Sequence, residues 1–143
     1  MFRKLLLRVL GIRVLANYED IKVEGLGTSM VIRAKVDTGA RMSSIDQAAA
    51  EQLGLLKDGN LIETRMFKSG LGHQRRQIVK ATLYLQDKKI NTEVSVIDRS
   101  HMAYKMLIGV ADMNGFLVKP SPLKGDILRH TKNETNSLPS ANS

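Results

Sequence analysis

The sequence predicts a mainly β protein whose short strands form a small closed barrel. Short segments alternate between apolar and polar residues with a period of two, which is typical of half-buried strands. Glycine-containing turns separate these segments, and helix-forming residues are confined to one or two short stretches. The pattern corresponds to roughly six to eight short strands, and closure into a barrel removes the free edges that such strands would otherwise leave.

Each predicted element rests on its own local pattern. Ile32, Ala34 and Val36 alternate with charged residues and define the buried face of the clearest strand. A short helix is predicted over 46–53, with Ser44 or Asp46 as its N-cap and a glycine at position 54 as its stop. A turn is predicted at 87–89, and one helical turn over 110–114. Strands are predicted over 20–24, 30–36, 61–67, 78–85, 90–97, 106–109 and 116–118.

The composition excludes several classes of function. The 143 residues are 43% hydrophobic and 25% charged, as in an ordinary soluble domain. Tryptophan is absent, so the core is expected to be aliphatic. Cysteine is also absent, which excludes disulfides, thiolate metal sites and a cysteine nucleophile. The net charge of +8 favours anionic partners, such as nucleic acid, an acidic membrane face or acidic peptides. The alternative is a basic surface that binds nothing.

The two ends of the chain differ from its middle. Residues 1–16 read as an amphipathic segment that packs on the body or in a dimer interface, since arginines interrupt their apolar run. Residues 17–128 are predicted to form the folded domain, and the polar residues 129–143 a disordered tail. No run approaches the ~18 apolar residues of a membrane span. We therefore expect a cytoplasmic protein without a membrane partner.

The segment Val36-Asp37-Thr38-Gly39-Ala40 is the strongest candidate for chemistry. A carboxylate that follows the end of a strand is held by rigid backbone and still reaches a cleft. A hydroxyl residue and a glycine then fix the loop, because glycine lets another backbone approach closely. Aspartic peptidases present their catalytic acid in this way. Taken alone, the triplet Asp-Thr-Gly also forms ordinary turns, so this reading stays open at the level of the motif.

A glycine-containing tip, Gly70-Leu71-Gly72, joins two of the predicted strands into a long hairpin. One interpretation is an exposed turn that needs glycine only for its backbone angles. The other is a mobile lid over a binding site, because lids are commonly glycine-bearing loops. Basic residues flank this tip, namely Lys68, His73, Arg75 and Arg76.

The order of these features resembles the retropepsin-like aspartic peptidases. The segments 34–41 and 98–109 are similar to two signature blocks of a bacterial group often labelled "ATP-dependent zinc protease", and 115–121 is similar to its closing strand. That group is associated with an ATP-grasp ligase that adds glutamates to a ribosomal protein. The resemblance covers roughly 21–121, and it implies an acid-protease barrel with one or two short helices. Val110 departs from the group, which usually has an arginine there.

The resemblance implies a homodimeric aspartic-type endopeptidase. The mechanism needs two carboxylates, and this chain has one Asp-Thr-Gly, so Asp37 of each subunit must meet on a two-fold axis. Thr38 and Gly39 would brace that pair. The resemblance also implies that Ala40 and Arg41 line the cleft floor. Ile108 and Gly109 would belong to a buried strand beside the loop that carries Asp37. The flap and its basic flank would consist of Gly70, Leu71, Gly72, His73, Arg75 and Arg76.

The same resemblance suggests glutamate-rich chains as substrates. Arg41 and the basic flank of the flap would offset the charge of an acidic peptide, although they could equally be a solvated rim. The words "zinc" and "ATP" find no support, so we expect no metal and no other cofactor. His73, His101 and His130 lie far apart without a His-Glu-x-x-His pair, and no phosphate-binding Gly-x-x-x-x-Gly-Lys-Ser/Thr loop is present.

A catalytically silent module is the alternative function. Its basic face would bind ribosomal or nucleic-acid surface through phosphate charge. The chain contains only three tyrosines and three phenylalanines, so stacking platforms for single-stranded nucleic acid are scarce. The sequence therefore favours the peptidase over the binding module.

Overall fold

Six strands close into a barrel in the order β2 (Tyr18–Glu24), β3 (Ser29–Val36), β8 (Met106–Ile108), β4 (Ser44–Asp46), β7 (Lys88–Ile97) and β6 (Gly72–Leu85), and β6 pairs back with β2. This computed structural model describes residues 2–70 and 72–120. The predicted mainly β barrel with short helices is confirmed. The elements in chain order are α1 Phe2–Val9, β1 Arg13–Leu15, β2 Tyr18–Glu24, β3 Ser29–Val36, β4 Ser44–Asp46, α2 Gln47–Gln52, β5 Leu61–Ser69, β6 Gly72–Leu85, β7 Lys88–Ile97, β8 Met106–Ile108, a 3₁₀ turn Val110–Asp112 and β9 Phe116–Val118.

The core of the barrel is aliphatic. Ile32, Ala34 and Val36 are buried on one face of β3, as their alternation predicts. β2 pairs with both β3 and β6, which brings Ile21 and Leu83 into the same interior. The largest side chains with at most 1% exposure are Leu15, Ile21, Ile45, Leu53, Ile78, Leu83, Leu85, Met106 and Ile108.

Two hairpins share the long strand β6. Its outer half, Gly72–Gln77, is mostly exposed and pairs with β5, which extends outside the ring. Its inner half, Ile78–Leu85, is largely buried and pairs with β7. The second turn was predicted one residue too late: Leu85 already pairs with Lys88, and Gln86 adopts a left-handed φ of 55° between them. That prediction was wrong because the polar residue pattern does not report which residue takes the positive φ.

The short helix α2 is positioned by its ends. Asp46 occupies the N-cap position, but its side chain makes no capping hydrogen bond there. At the other end Gly54 adopts a φ of 70°, its N–H donates to Glu51 O, and Leu55 N–H donates to Ala50 O. This is the Schellman arrangement, and glycine suits it because the left-handed position disfavours a side chain. The predicted stop at residue 54 is confirmed.

The segment 1–16 contains a helix and a strand. β1 pairs in parallel with β9, from Arg13 opposite Phe116 to Leu15 opposite Val118, and Leu15 is fully buried. Of the predicted domain, 121–128 lies outside the described residues, as does the whole predicted tail 129–143. Within the described part of the chain, no helix is long and apolar enough to cross a membrane.

Candidate active site

Asp37 lies directly beyond the buried end of β3, at the point where the chain leaves the barrel. Its N–H donates to Ile108 O at 2.9 Å, which continues the parallel pairing of β3 with β8. Asp37 as a residue is half-buried. A group in this position is fixed by two core strands and still reaches the surface, so its geometry suits a catalytic acid or base.

The loop that follows, residues 38–42, holds the carboxylate in place and is called the Asp37 loop below. Gly39 N–H donates to Asp37 Oδ1 at 2.9 Å, and Ala40 N–H donates to Asp37 O at 3.2 Å. A Cβ on Gly39 would lie 3.2 Å from Asp37 Oδ1, so a side chain there would crowd the carboxylate. Thr38 and Gly39 are exposed at the rim. The backbone therefore orients one carboxylate oxygen and leaves this side of the loop uncovered.

A second chain segment, residues 108–111, packs against the Asp37 loop. Val110 N–H donates to Ala40 O at 2.8 Å, and Ala111 N–H donates to Arg41 O at 3.0 Å. Gly109 passes so close to Met42 that a Cβ would lie 2.4 Å from the Met42 carbonyl carbon. Glycine is required here for close approach rather than for its backbone angles. The structure thus places Ile108 and Gly109 against the Asp37 loop.

Buried polar residues lock these two segments together. Ser43 Oγ accepts a hydrogen bond from Gly109 N–H at 3.0 Å and donates one to Asp112 Oδ2 at 2.5 Å. Ser43 is fully buried and Asp112 is 3% exposed. Sequence reasoning missed Asp112, because 69 residues separate the two partners. The serine after the motif was the local signal that could have pointed to this bond.

A buried cation, Arg99, interacts electrostatically with Asp37. Arg99 is only 5% exposed, its N–H donates to Asp46 Oδ1 at 2.7 Å, and its Nε donates to Tyr104 O at 2.8 Å. Burial lowers the pKa of Arg99, Asp46 and then Asp37 oppose that shift, and Arg76 adds to it. Arginine stays protonated in spite of such shifts. Sequence reasoning missed this residue, although it lies in the second signature block.

The loop 98–105 that carries Arg99 is organised around an internal ammonium group. Lys105 Nζ donates to the carbonyl oxygens of Arg99, Ser100 and Met102 at 2.9–3.2 Å. Tyr104 stacks on Tyr18 of β2 with ring centroids 4.5 Å apart. Three carbonyl bonds to one cation stabilise a single loop conformation, so the position of Arg99 is well defined.

The predicted flap residues lie apart from the Asp37 loop and the loop 98–105. Gly70, Gly72, His73 and Arg75 are exposed on the outer half of the β5–β6 hairpin, and Leu71 lies outside the described residues. Arg76 lies over the Phe67 ring, with its guanidinium carbon 4.7 Å from the centroid. Of the predicted flap residues described, Arg76 is the one whose charge acts on Arg99.

A cavity of about 620 Å³ lies between the flap and the Asp37 loop. Arg41 lines it from the loop, and residues 65–68 of β5 line it from the flap. Asp37 is not among its lining residues, so the cavity reaches the loop that follows Asp37 but does not include the candidate catalytic group. The remaining lining residues are Met42, Thr92, Glu93 and Ala111. Among the described residues, no group of three or more His, Cys, Asp or Glu side chains is placed to hold a metal ion.

Comparison with known families identifies the chain. The family model described as "RimB-like: Retropepsin-like aspartic endopeptidase RimB" matches residues 52–127, more than half of the 143 residues. The chain belongs to the RimB-like family. It is therefore an aspartic-type endopeptidase, which argues against the catalytically silent module. No curated protein matches it in sequence.

Solved structures agree with the fold of a RimB-like protein. The EIAV protease in complex with the inhibitor HBY-793 has a TM-score of 0.54 at 15% identity, covering 68% of this chain and 84% of that one. A Legionella pneumophila protein of unknown function, Lpg0085, has a TM-score of 0.50 at 19% identity, covering 76% and 93%. The simian foamy virus (mac) protease has a TM-score of 0.46 at 23% identity, covering 67% and 92%. The likeness to the EIAV protease confirms the retropepsin-like barrel.

The family match and the Asp37 loop are separate observations. The matched region begins at Gln52, after the Asp37 loop has ended. It covers both hairpins, the loop 98–105 and Gly109. The role of Asp37 consequently rests on its own geometry and on its contacts with the matched region.

Proposed function

We propose that this RimB-like protein hydrolyses peptide bonds as a homodimer, with Asp37 of each subunit forming the catalytic pair. The observation that carries the proposal is the position of Asp37, bonded through its backbone to β8 and through Oδ1 to Gly39. One carboxylate takes a proton from water as the water attacks the carbonyl carbon. The other, protonated, donates a hydrogen bond to the carbonyl oxygen, and the proton taken from water then passes to the leaving amine as the C–N bond breaks. Two adjacent carboxyl groups that share one proton suit this division of roles.

The uncovered rim of the Asp37 loop supports a two-fold partner. Thr38 and Gly39 are exposed beside the carboxylate. Val110, whose backbone bonds to the same loop, leaves its apolar side chain 51% exposed. A second copy would cover this rim and supply the missing carboxylate, and burial of Val110 would contribute to its affinity. In this proposal Val110 makes an apolar contact where the family usually has a charged one.

The charges around the cavity support an acidic substrate. Among the described residues that line it, Arg41, Arg65 and Lys68 are cationic and Glu93 is the one acid. A peptide that carries several glutamates would meet complementary charge along this wall. We therefore include glutamate-rich chains in the proposal as the preferred substrate class.

The test compares wild type with Asp37→Asn on glutamate-rich and mixed peptides, with products read by mass spectrometry. We expect Asp37→Asn to lower kcat/KM by at least about a thousandfold, because general acid–base groups contribute on that scale. Asp58→Asn, an exposed aspartate outside the site, should retain full activity. Analytical ultracentrifugation measures the dimer fraction at each protein concentration, and we expect peptidase activity per subunit to rise with that fraction. An active monomer would disprove the shared site, and equal products from wild type and Asp37→Asn would disprove the role of Asp37.

A further inference from the structure

Helix α1 presents an apolar face that the rest of the described chain does not cover. Leu5, Leu6, Val9 and Leu10 are 62%, 56%, 76% and 64% exposed. Their spacing places them on one side of a helix, within an arc of about 140°. Leu7 points away from this arc and is less exposed. The helix therefore leaves a continuous apolar stripe exposed.

Every charged residue in and just after α1 is a cation. Glu19 is the first acidic residue of the sequence, whereas Arg3, Lys4, Arg8 and Arg13 precede it. Arg8 is exposed in the last turn of the helix. An exposed apolar stripe beside cations, without acids, matches a lipid surface that offers acyl chains beneath anionic headgroups. Packing against α1 of a second copy would instead bring like charges together.

The helix ends in a defined turn and continues directly into β1. Gly11 adopts a φ of 72°, its N–H donates to Arg8 O, and Ile12 N–H donates to Leu7 O, which closes the helix in a Schellman arrangement. The chain then enters β1, where Leu15 is fully buried. The apolar stripe is therefore connected to the core through β1, so a surface that binds the stripe would hold the whole protein.

We propose that α1 binds reversibly to an anionic lipid surface. The leucine and valine side chains enter the boundary between headgroups and acyl chains, and Arg8 stays among the lipid phosphates. Eight residues make a helix about 12 Å long, which lies in the surface and does not cross it. The proposal replaces the sequence-based expectation that no membrane is a partner, and it is independent of the proposed catalytic pair.

Vesicle flotation with the full chain tests the proposal. One vesicle set is phosphatidylcholine alone, and the other contains about 30% phosphatidylglycerol as the anionic lipid. We expect binding to the second set only, with a loss as salt rises from about 0.05 to 0.5 M. The pair Leu6→Ser/Val9→Ser and the single change Arg8→Glu should each weaken partitioning at least tenfold, equivalent to about 1.4 kcal/mol.

Matched controls separate this face from general surface effects. Leu26→Ser/Val31→Ser removes two apolar side chains that are 58% and 68% exposed elsewhere, and Lys57→Glu reverses an exposed charge far from α1 in sequence. Both should bind vesicles as wild type does, and circular dichroism should show the same fold for all variants. Equal loss in the controls, or no binding by wild type, would overturn the proposal. So would a fall in oligomeric state on light scattering with Leu6→Ser/Val9→Ser, because a second copy would then be the occupant.

Discussion

The Asp37 loop and the flap lie on opposite sides of one cavity, and they are held in opposite ways. The loop is bonded to 108–112 by backbone and buried serine contacts at 2.5–3.0 Å. The outer flap is an exposed two-stranded ribbon in which β5 pairs with β6 alone. Catalysis requires the reacting groups to stay within fractions of an ångström, whereas substrate entry requires one wall to move. The Asp37 loop is thus the braced wall of the cavity, and the ribbon is its exposed wall.

Glycine has a different role in each wall. Gly109 is enclosed by the Met42 backbone, at 2.4 Å from a potential Cβ. Gly70 has no atom within 4 Å of a potential Cβ among the described contacts, and its φ is not in the left-handed region. The same residue type therefore reports close packing in one place and open space in the other. A pair of alanine substitutions measures this difference directly.

The largest effect is expected for Gly109→Ala. The new methyl group meets backbone, which cannot rotate away, so the Asp37 loop must shift. We expect a loss of about 3 kcal/mol or more in unfolding free energy, at the upper end for overpacked cores, and at least a tenfold loss of kcat. Gly70→Ala is the matched control and should stay within about 0.5 kcal/mol. Urea denaturation and peptide kinetics measure both. Equal stability of the two variants would contradict the close approach at Gly109.

Local patterns predicted the parts of this comparison that depend on neighbouring residues. The alternation of Ile32, Ala34 and Val36 identified β3, and Asp37 follows it directly. The contacts that brace the site come from distant residues, such as Ser43 with Asp112. Period-two patterning carries no information on such pairs, so the sequence alone could not reveal them.

Short elements escaped prediction for a related reason. β4 has three residues, all of them buried, so it shows no alternation. β1 also has three residues and pairs with β9, which lies about a hundred positions further along the chain. Arg99 looked like an ordinary surface charge until the fold buried it against Asp46. Burial and long-range pairing are decided by the whole barrel rather than by the local segment.

A moderate effect is expected for charge reversal on the exposed wall. Lys68 is exposed on β5 and lines the cavity. We expect Lys68→Glu to raise KM for glutamate-rich peptides about three- to tenfold, with kcat and stability unchanged, because an exposed charge acts mainly on an acidic ligand. Lys89→Glu is the control, an exposed lysine on β7 that is not among the lining residues. Added salt should reduce the effect. A change in KM of the same size for Lys89→Glu would show that net charge, and not the cavity wall, is responsible.

The smallest effect is expected at Asp98, an exposed residue of the loop 98–105 that carries Arg99. Ser100 lowers the pKa of Asp98 from its ordinary 3.8, first through its side chain and then through its N–H, which donates to Asp98 Oδ1 at 2.9 Å. A carboxyl group whose pKa is lower in the folded state adds stability above pH 3.8, and that contribution is lost as pH falls through the lowered pKa. Asp98→Ala should therefore lower the urea midpoint slightly at neutral pH.

The pH dependence of this small effect distinguishes charge from packing. The difference between wild type and Asp98→Ala should shrink as pH falls below about 4, because both chains then lack the carboxylate charge. Ser100→Ala should reproduce part of the dependence, since it removes the first-named cause of the lowered pKa. A difference that stays constant with pH would mean that the Asp98 carboxylate does not stabilise the loop by its charge. The loop that positions Arg99 would then depend on Lys105 and its three carbonyl partners.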